Sequence, residues 1–141
     1  MELKFRIRNF SKLKLFLKDN DVIFIGKAVE YYTYLKNGEK LQKTEGNYYL
    51  VSIRRHGNFF DLRYKKITKK RYNEILKSEE VLKRIKNRRY VYKLNDSKIS
   101  LNEMKAGKFV IIEGKKNDII RLSKKLNLPK KYVVARPFHK L

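Results

Sequence analysis

The first strand-like segment of the chain carries charged side chains at every second position. Glu2, Lys4, Arg6 and Arg8 alternate there with leucine, phenylalanine and isoleucine. Successive side chains of an extended segment point to opposite faces, so this pattern predicts a strand with one charged and one apolar face. Lysine and arginine are the side chains that pair with phosphate oxygens. The segment therefore predicts a strand that packs its apolar face on a core and offers its charged face to solvent or to an anion.

Three later segments repeat this arrangement of cations at alternate positions. The sets that share a face are Ser52 with Arg54, Asp61 with Arg63 and Lys65, and Lys86 with Arg88, while Glu113 lies near the end of a late strand. If the sheet closes into a barrel, these side chains point into one interior. Several cations at close quarters repel one another unless an anion lies between them, so a closed sheet predicts an anion site. The alternative is an open sheet whose polar face is only solvated.

The elements that must position these residues are short strands joined mostly by hairpin turns. Apolar periodicity predicts helices over 11–18 and 118–127, and a long strand over 22–35. Further strands are predicted over 48–55, 59–66, 88–94, 98–102 and 108–113, with another near 71–76 that leads to a short helix capped by Ser78. The total is seven or eight strands and three helices, which gives the α+β class. No linker or repeat interrupts the chain, so a single domain over 1–141 is predicted.

The composition favours an anionic partner. Lysine and arginine number 37 against 14 acidic residues, which gives a net charge of +23. A charge of that size opposes compaction and is relieved by a polyanion, so RNA, DNA, nucleotides and polyphosphate are the candidate partners. A bias towards lysine in the genome or in heat-adapted proteins is the alternative explanation. The chain has no cysteine, which excludes disulfides and thiolate metal sites. No membrane span or signal peptide is recognisable, so a cytoplasmic protein is expected.

Read in order, five segments match the motifs of one known family. They are Glu2 and Lys4 in the opening strand, Val51-Ser52-Ile53-Arg54, Tyr64-Lys65, Lys86-Asn87-Arg88-Arg89-Tyr90, and Gly107-Lys108-Phe109 continuing to Glu113. The family motifs that they resemble are Glu-x-Glu-x-Lys, Leu-Arg-x-Arg, Tyr-Lys, Lys-x-Arg-x-x-Tyr and Gly-x-Phe-x-Glu-Ile-Glu. Their order and spacing resemble those of the CYTH, or triphosphate-tunnel, family, which includes class IV adenylyl cyclases and thiamine triphosphatases.

The resemblance implies a closed antiparallel eight-stranded β-barrel with short flanking helices and a basic interior that binds a triphosphate. It implies that Glu2 and Glu113 are metal ligands for Mg²⁺ or Mn²⁺. The phosphate-binding residues of the catalytic site would be Lys4, Arg54 and Lys65, and the further ligand-binding residues would be Arg6, Arg8, Arg63, Lys86 and Arg88. Members of the family hydrolyse or cyclise at the triphosphate, and the metal neutralises the developing charge.

The match is incomplete where the family carries its carboxylates. Only the second glutamate of the opening motif is matched, by Glu2. Ser52 replaces an arginine, Ile111 replaces one glutamate of the late pair, and Asn102 stands where members commonly carry an acidic residue. Hard divalent cations need several oxygen ligands, usually with carboxylate charge. The set of metal-binding carboxylates is therefore degenerate.

Two functions of different classes follow from these observations. The first is a metal-dependent phosphohydrolase or adenylyl cyclase-like enzyme acting on a nucleoside triphosphate, a polyphosphate or the 5′ end of RNA. The second is a protein with the same fold and no catalysis, which binds RNA or an RNA–protein particle such as the ribosome. The basic residues and the two glutamates favour the first, whereas the missing carboxylates and the large net charge favour the second.

Overall fold

The eight strands of the chain close into one antiparallel barrel. The structure is a computed structural model that describes all residues from Met1 to Leu141. The strands are β1 (Glu2–Ile7), β2 (Ile23–Leu35), β3 (Lys40–Thr44), β4 (Asn47–His56), β5 (Phe59–Ile67), β6 (Val81–Leu94), β7 (Ser97–Met104) and β8 (Gly107–Glu113). Their order around the barrel is β1-β5-β4-β3-β2-β6-β7-β8. The predicted α+β class and the closed eight-stranded barrel are confirmed.

Three helices lie outside the barrel: α1 (Ser11–Asp19), α2 (Lys69–Ser78) and α3 (Lys116–Lys125). The largest apolar cluster joins α1 and α3 to the outer faces of β1, β7 and β8, and it includes Leu3, Phe5, Leu17, Leu101 and Ile119. The apolar face of β1 therefore packs under helices, as its alternation predicts, and its charged face is left for the interior. No helix is long and apolar enough to cross a membrane.

The junction between β1 and β5 is closed by the end of the chain. These two strands pair only at Glu2 and Phe60. Beyond that pair, Val133 forms a bridge with Phe5, and the backbone N–H of Val134 donates to the carbonyl of Lys4 at 2.8 Å. The C-terminal segment thus bonds to the edge of β1 that faces β5, where most of the pairing between these two strands is missing.

The same segment fills one end of the barrel with an aromatic side chain. Phe138 is 6% exposed and belongs to a cluster with Tyr32, Tyr34, Phe109 and Ile111. Its ring lies parallel to that of Tyr32 and edge-on to that of Phe109. Aromatic pairs at these separations add to the free energy gained by burial. This end of the interior is therefore apolar and packed.

One element differs in type from the prediction. The segment predicted as a strand near 71–76 is helix α2, and no helix follows Ser78, because β6 begins at Val81. The helix is favoured because Tyr72 and Ile75 lie three residues apart and both are buried beneath it. Its N-terminus is capped by Thr68, whose hydroxyl accepts from the N–H of Arg71 at 3.1 Å.

Candidate anion-binding site inside the barrel

Six ionisable side chains converge in the interior. Glu2 and Lys4 come from β1, Glu30 from β2, Lys40 from β3, Arg89 from β6 and Glu113 from β8. The register explains their convergence, because residues opposite one another in an antiparallel pair share a face. Glu2 lies opposite Glu113, and the outward neighbour of Glu2 is buried under the helices. Three cations and three carboxylates thus share one compartment.

Arg89 joins two of the carboxylates. Its Nη2 donates to Glu113 at 2.7 Å, and its Nη1 lies 3.6 Å from an oxygen of Glu30. Burial disfavours the guanidinium charge, but Glu113 and Glu30 outweigh that effect and raise the pKa of Arg89. The Nε atom is buried without a hydrogen-bond partner. Arg89 is therefore a fixed cation with one donor still available.

Lys4 and Lys40 are buried cations without a carboxylate in contact. Their exposed fractions are 3% and 5%, and neither takes part in any of the ion pairs of the structure. The ammonium of Lys4 lies 3.9 Å from the ring centroid of Phe138, and that of Lys40 lies 4.1 Å from the ring centroid of Tyr32. Burial lowers the pKa of each lysine to about 8, against the opposing effect of Glu2. Both retain three N–H donors for a ligand.

Glu30 is held by its neighbours rather than left for a ligand. It is 4% exposed and accepts hydrogen bonds from Tyr32 at 2.6 Å, Thr44 at 3.1 Å and Gln42 at 3.2 Å. With Arg89 on the same oxygen as Tyr32, most of its acceptor sites are used. Glu30 therefore orients Arg89 and belongs to the wall of the site.

Glu2 is the carboxylate with the most perturbed ionisation. Its pKa is raised to about 7, mainly by burial and also by the charge of Glu113, against the opposing effects of Lys40, Lys4 and Arg89. Near neutral pH Glu2 is therefore partly protonated. When it is protonated, the three interior cations face only two carboxylates, and the compartment carries an excess positive charge.

Four of the ten predicted site residues lie on the interior face. Glu2, Lys4 and Glu113 meet in the central compartment. Arg6 lies on the same face of β1, where its guanidinium donates to the carbonyl of Ala106 and lies over the ring of Phe109. The alternation of β1 therefore predicts the inward residues of this strand correctly.

The other six do not enter the interior, and their predicted placement is wrong. Arg8 follows the end of β1 and is exposed, and the outward side chains are Arg54, Arg63, Lys65, Lys86 and Arg88. For the five residues that lie in strands, the neighbouring residue is the one that points inward. On β6 the inward residues are Asn87 and Arg89, because Asn87 donates to the buried hydroxyl of Tyr32 at 3.0 Å. On β4 the inward residues are Ile53, which packs in the interior cluster, and Val51, which lies two positions before it on the same face. On β5 the inward residue is Tyr64, because it lies opposite Val51.

Three central residues are absent from the sequence-based site: Glu30, Lys40 and Arg89. The alternation of Glu30 with Tyr32 and Tyr34 was a usable signal, because it places a carboxylate and two phenol groups on one face of β2. Lys40 lies in β3, which no predicted strand covers, so its face was not assigned. Arg89 follows Arg88 directly, and only the packing of the strand determines which of the two points inward.

The interior does not fit the metal that the resemblance implies. No group of three or more histidine, cysteine, aspartate or glutamate side chains is placed to hold a metal ion. Asn102 is fully buried in an amide network, where its oxygen accepts from Asn87 at 2.8 Å. Ile111 packs in the apolar cluster with Phe138. Arg89 already neutralises Glu113. Two positions at which the resemblance implies carboxylates therefore carry an amide and an aliphatic side chain, and Arg89 pairs with both Glu113 and Glu30.

Comparison with solved structures identifies the same fold. The chain is similar to the PH1012 protein of Pyrococcus horikoshii, with a TM-score of 0.85 and 22% identity over 100% of this chain and 98% of that chain. It is similar to a proposed adenylate cyclase of Vibrio parahaemolyticus, with a TM-score of 0.72 and 16% identity over 99% and 95%. A proposed adenylyl cyclase of Hippeastrum, which shows a dominant triphosphatase activity, matches with a TM-score of 0.62 and 12% identity over 91% and 88%.

These likenesses are structural rather than sequence-based. No protein-family model matches the sequence, and no curated protein matches it. At identities of 12–22% the shared feature is the closed barrel itself. The fold implied by the motif resemblance is therefore confirmed: the chain shares the closed eight-stranded barrel of these solved structures, which include proposed adenylate cyclases.

Proposed function

We propose that the barrel binds a triphosphate-bearing anion in its interior: a nucleoside triphosphate, a linear polyphosphate or the 5′ end of an RNA. The observation that carries the proposal is the pair of buried ammonium groups, Lys4 and Lys40, neither of which has a carboxylate in contact. Burying a charge without a partner costs free energy. An anion that contacts both lysines offsets this cost, because it accepts hydrogen bonds from their free N–H groups.

Unsatisfied polar atoms in the same compartment support an interior ligand. Nε of Arg89 is a buried donor without a partner, and Oδ1 of Asn87 and Oε1 of Gln42 are buried acceptors without one. Native proteins rarely leave such atoms unpaired unless water or a ligand satisfies them. Arg89 and the two lysines would bind phosphate oxygens, and the amide groups would orient bound water or hydroxyl groups.

The structural neighbours support a triphosphate over other anions. Two neighbours are described as proposed adenylate cyclases, and one of these two shows a dominant triphosphatase activity, so nucleotides and other triphosphates are the ligand classes that these neighbours suggest. Metal-dependent hydrolysis or cyclisation is not part of the proposal, because the carboxylates of this chain do not form a metal site. The proposed role of the interior is therefore binding by fixed protein cations.

The test is calorimetric binding of tripolyphosphate and ATP to the wild type and to Lys40→Met. Charge-assisted hydrogen bonds contribute about 1.5–3 kcal/mol, so Lys40→Met should weaken binding about 10- to 150-fold. Lys65→Met is the matched control, since Lys65 points outward from β5 and its loss should leave the affinity within about threefold. Equal weakening by both substitutions, or no binding by the wild type, would refute interior binding.

The same samples decide whether turnover accompanies binding. Release of phosphate and pyrophosphate from ATP, tripolyphosphate and 5′-triphosphorylated RNA is measured with Mg²⁺ or Mn²⁺. Binding without release is the expected result. Metal-dependent release that Glu113→Gln abolishes would instead show that the two remaining glutamates are sufficient for a catalytic metal.

A further inference from the structure

The outward cations of β6 belong to a surface that the interior site does not use. Strands β2 and β6 pair along almost their whole length, and α1 and α3 pack over β1, β7, β8 and only the C-terminal part of β6. We define the outer basic face by the exposed residues of β2, β3 and β6 in this region: Val29, Tyr31, Lys43, Arg84, Lys86 and Arg88. No helix packs extensively on it.

A tyrosine lies at the centre of this face between two lysines. Tyr31 is opposite Lys43 of β3 on one side and opposite Lys86 of β6 on the other. Neighbouring strands lie about 4.8 Å apart, so the three side chains form a short row across the sheet. The ring of Tyr31 is 45% exposed. A solvent-facing aromatic ring flanked by cations is suited to stacking on a base whose phosphates contact the lysines.

The cations of the face have no strong acidic partners. None of Lys43, Arg84, Lys86 and Arg88 forms an ion pair in the structure. Two acidic residues lie beside Arg88: Glu103 of β7 is opposite it, and Glu45 lines a surface cavity with Val29 and Arg88. Cations that repel one another favour a polyanion that passes across all of them.

The spacing of these cations suits an extended single strand of nucleic acid. Arg84, Lys86 and Arg88 lie at alternate positions of one β-strand, and a two-residue step in a strand is about 6.7 Å. The row continues into a surface cavity of about 630 Å³ lined by Lys83, Arg84, Lys86 and Lys105. The positive surface is therefore linear and longer than one triphosphate requires.

We propose that the outer basic face binds single-stranded RNA, with Tyr31 stacked on a base and the cations of β3 and β6 paired with successive phosphates. This function is independent of the anion site inside the barrel. A folded duplex would present phosphates but no exposed base for Tyr31, so a single strand is the ligand that uses every feature of the face.

The test uses fluorescence anisotropy with a labelled oligouridine that carries a 5′-hydroxyl, so that no terminal triphosphate can enter the barrel. The variant Lys43→Gln/Lys86→Gln/Arg88→Gln is compared with Arg54→Gln/Arg63→Gln/Lys65→Gln. The second variant loses the same charge from the outer face of β4 and β5. Single-stranded contacts contribute about 0.7 each to the slope of log K against log salt, so the first variant should lower the slope by about 2. The control variant should lower the slope by less than about 0.5, because the three cations that it replaces do not contact the RNA in the proposed complex.

A single-residue pair keeps the test informative if the triple variants fold poorly. Tyr31→Ala should weaken binding about 5- to 150-fold, because stacking contributes about 1–3 kcal/mol per base. Tyr31→Phe retains the ring and should bind like the wild type. The control Tyr132→Ala removes an exposed ring far along the chain and should have no effect.

Four results would overturn the proposal. They are no RNA binding by the wild type, equal losses in the two triple variants, no difference between Tyr31→Ala and Tyr31→Phe, and displacement of the oligouridine by tripolyphosphate at low concentration. The last result would place the RNA in the barrel and leave the proposed interior function intact. Failure of tripolyphosphate binding alone, with RNA binding retained, would refute only the interior function.

Discussion

The raised pKa of Glu2 makes a quantitative prediction about folding stability. A carboxyl whose pKa rises from 4.5 to about 7 on folding corresponds to about 3 kcal/mol of differential free energy between its two protonation states. Because the folded state binds the proton more tightly, this contribution is fully present below the unfolded pKa of 4.5. It is lost progressively as the pH rises through about 7.

Replacement of Glu2 by glutamine removes the ionisation and keeps the shape. The wild type and Glu2→Gln should therefore differ in a pH-dependent way, with the variant gaining about 3 kcal/mol of relative stability between pH 4.5 and about 8. Taking the difference cancels the titration of most other groups. It does not cancel the titration of Lys4 and Lys40, because Glu2 raises the pKa of both lysines, so the decisive part of the range lies below about pH 7, where both lysines are charged.

The measurement is urea unfolding followed by circular dichroism at several pH values across this range. Glu79→Gln is the matched control, because Glu79 is exposed at the end of α2 and its removal should shift stability by less than about 0.5 kcal/mol at any pH. If the difference between the wild type and Glu2→Gln does not change with pH, Glu2 ionises as a solvated carboxyl and the buried charge balance described for the interior is incorrect.

Three further predictions concern the interior. Affinity for tripolyphosphate should fall as the pH rises from about 6 to 9, because Glu2 becomes anionic and the lysines, whose pKa is about 8, lose their charge; calorimetry that shows a constant affinity would contradict this. Asn102→Asp/Ile111→Glu introduces two carboxylates on the inward faces of β7 and β8 and should confer binding of Mn²⁺, detectable by electron paramagnetic resonance, that the wild type lacks; equal binding by both proteins would mean that the native residues already form a metal site. Phe138→Ala should lower the free energy of unfolding by about 3–5 kcal/mol, and a change below about 1 kcal/mol in urea unfolding would show that the C-terminal segment is not packed in the barrel.

The sequence predicts the fold better than the interior of the site. Strand β1 is predictable because each of its polar positions is followed by an apolar one, so its two faces are distinct. In β6 the run from Lys83 to Arg89 places cations on both faces, and periodicity carries no information about which face is buried. Only α1, which covers the later residues of β6 such as Tyr90, determines that Arg89 points inward and Arg88 outward.

The buried charges were difficult to predict for a second reason. Glu30 and Lys40 lie in a compartment where apolar residues are expected. Lys40 has no carboxylate in contact there and lies over the ring of Tyr32, whereas Glu30 has partners on β2, β3 and β6. The carboxylate of Glu30 depends on Tyr32, Gln42, Thr44 and Arg89. Such partnerships between distant segments depend on the register of closure, which local sequence patterns do not encode.

The weak pairing of β1 with β5 has a consequence for access to the lumen. A barrel closed by a full ladder opens only by breaking many hydrogen bonds at once, whereas this one has a single strand pair and a short irregular segment along one edge. Local opening requires the least free energy where the fewest backbone bonds must break. Local opening of the barrel wall should therefore begin beside Lys4. Such an opening would let a phosphate chain that is too bulky for the end of the barrel enter from the side.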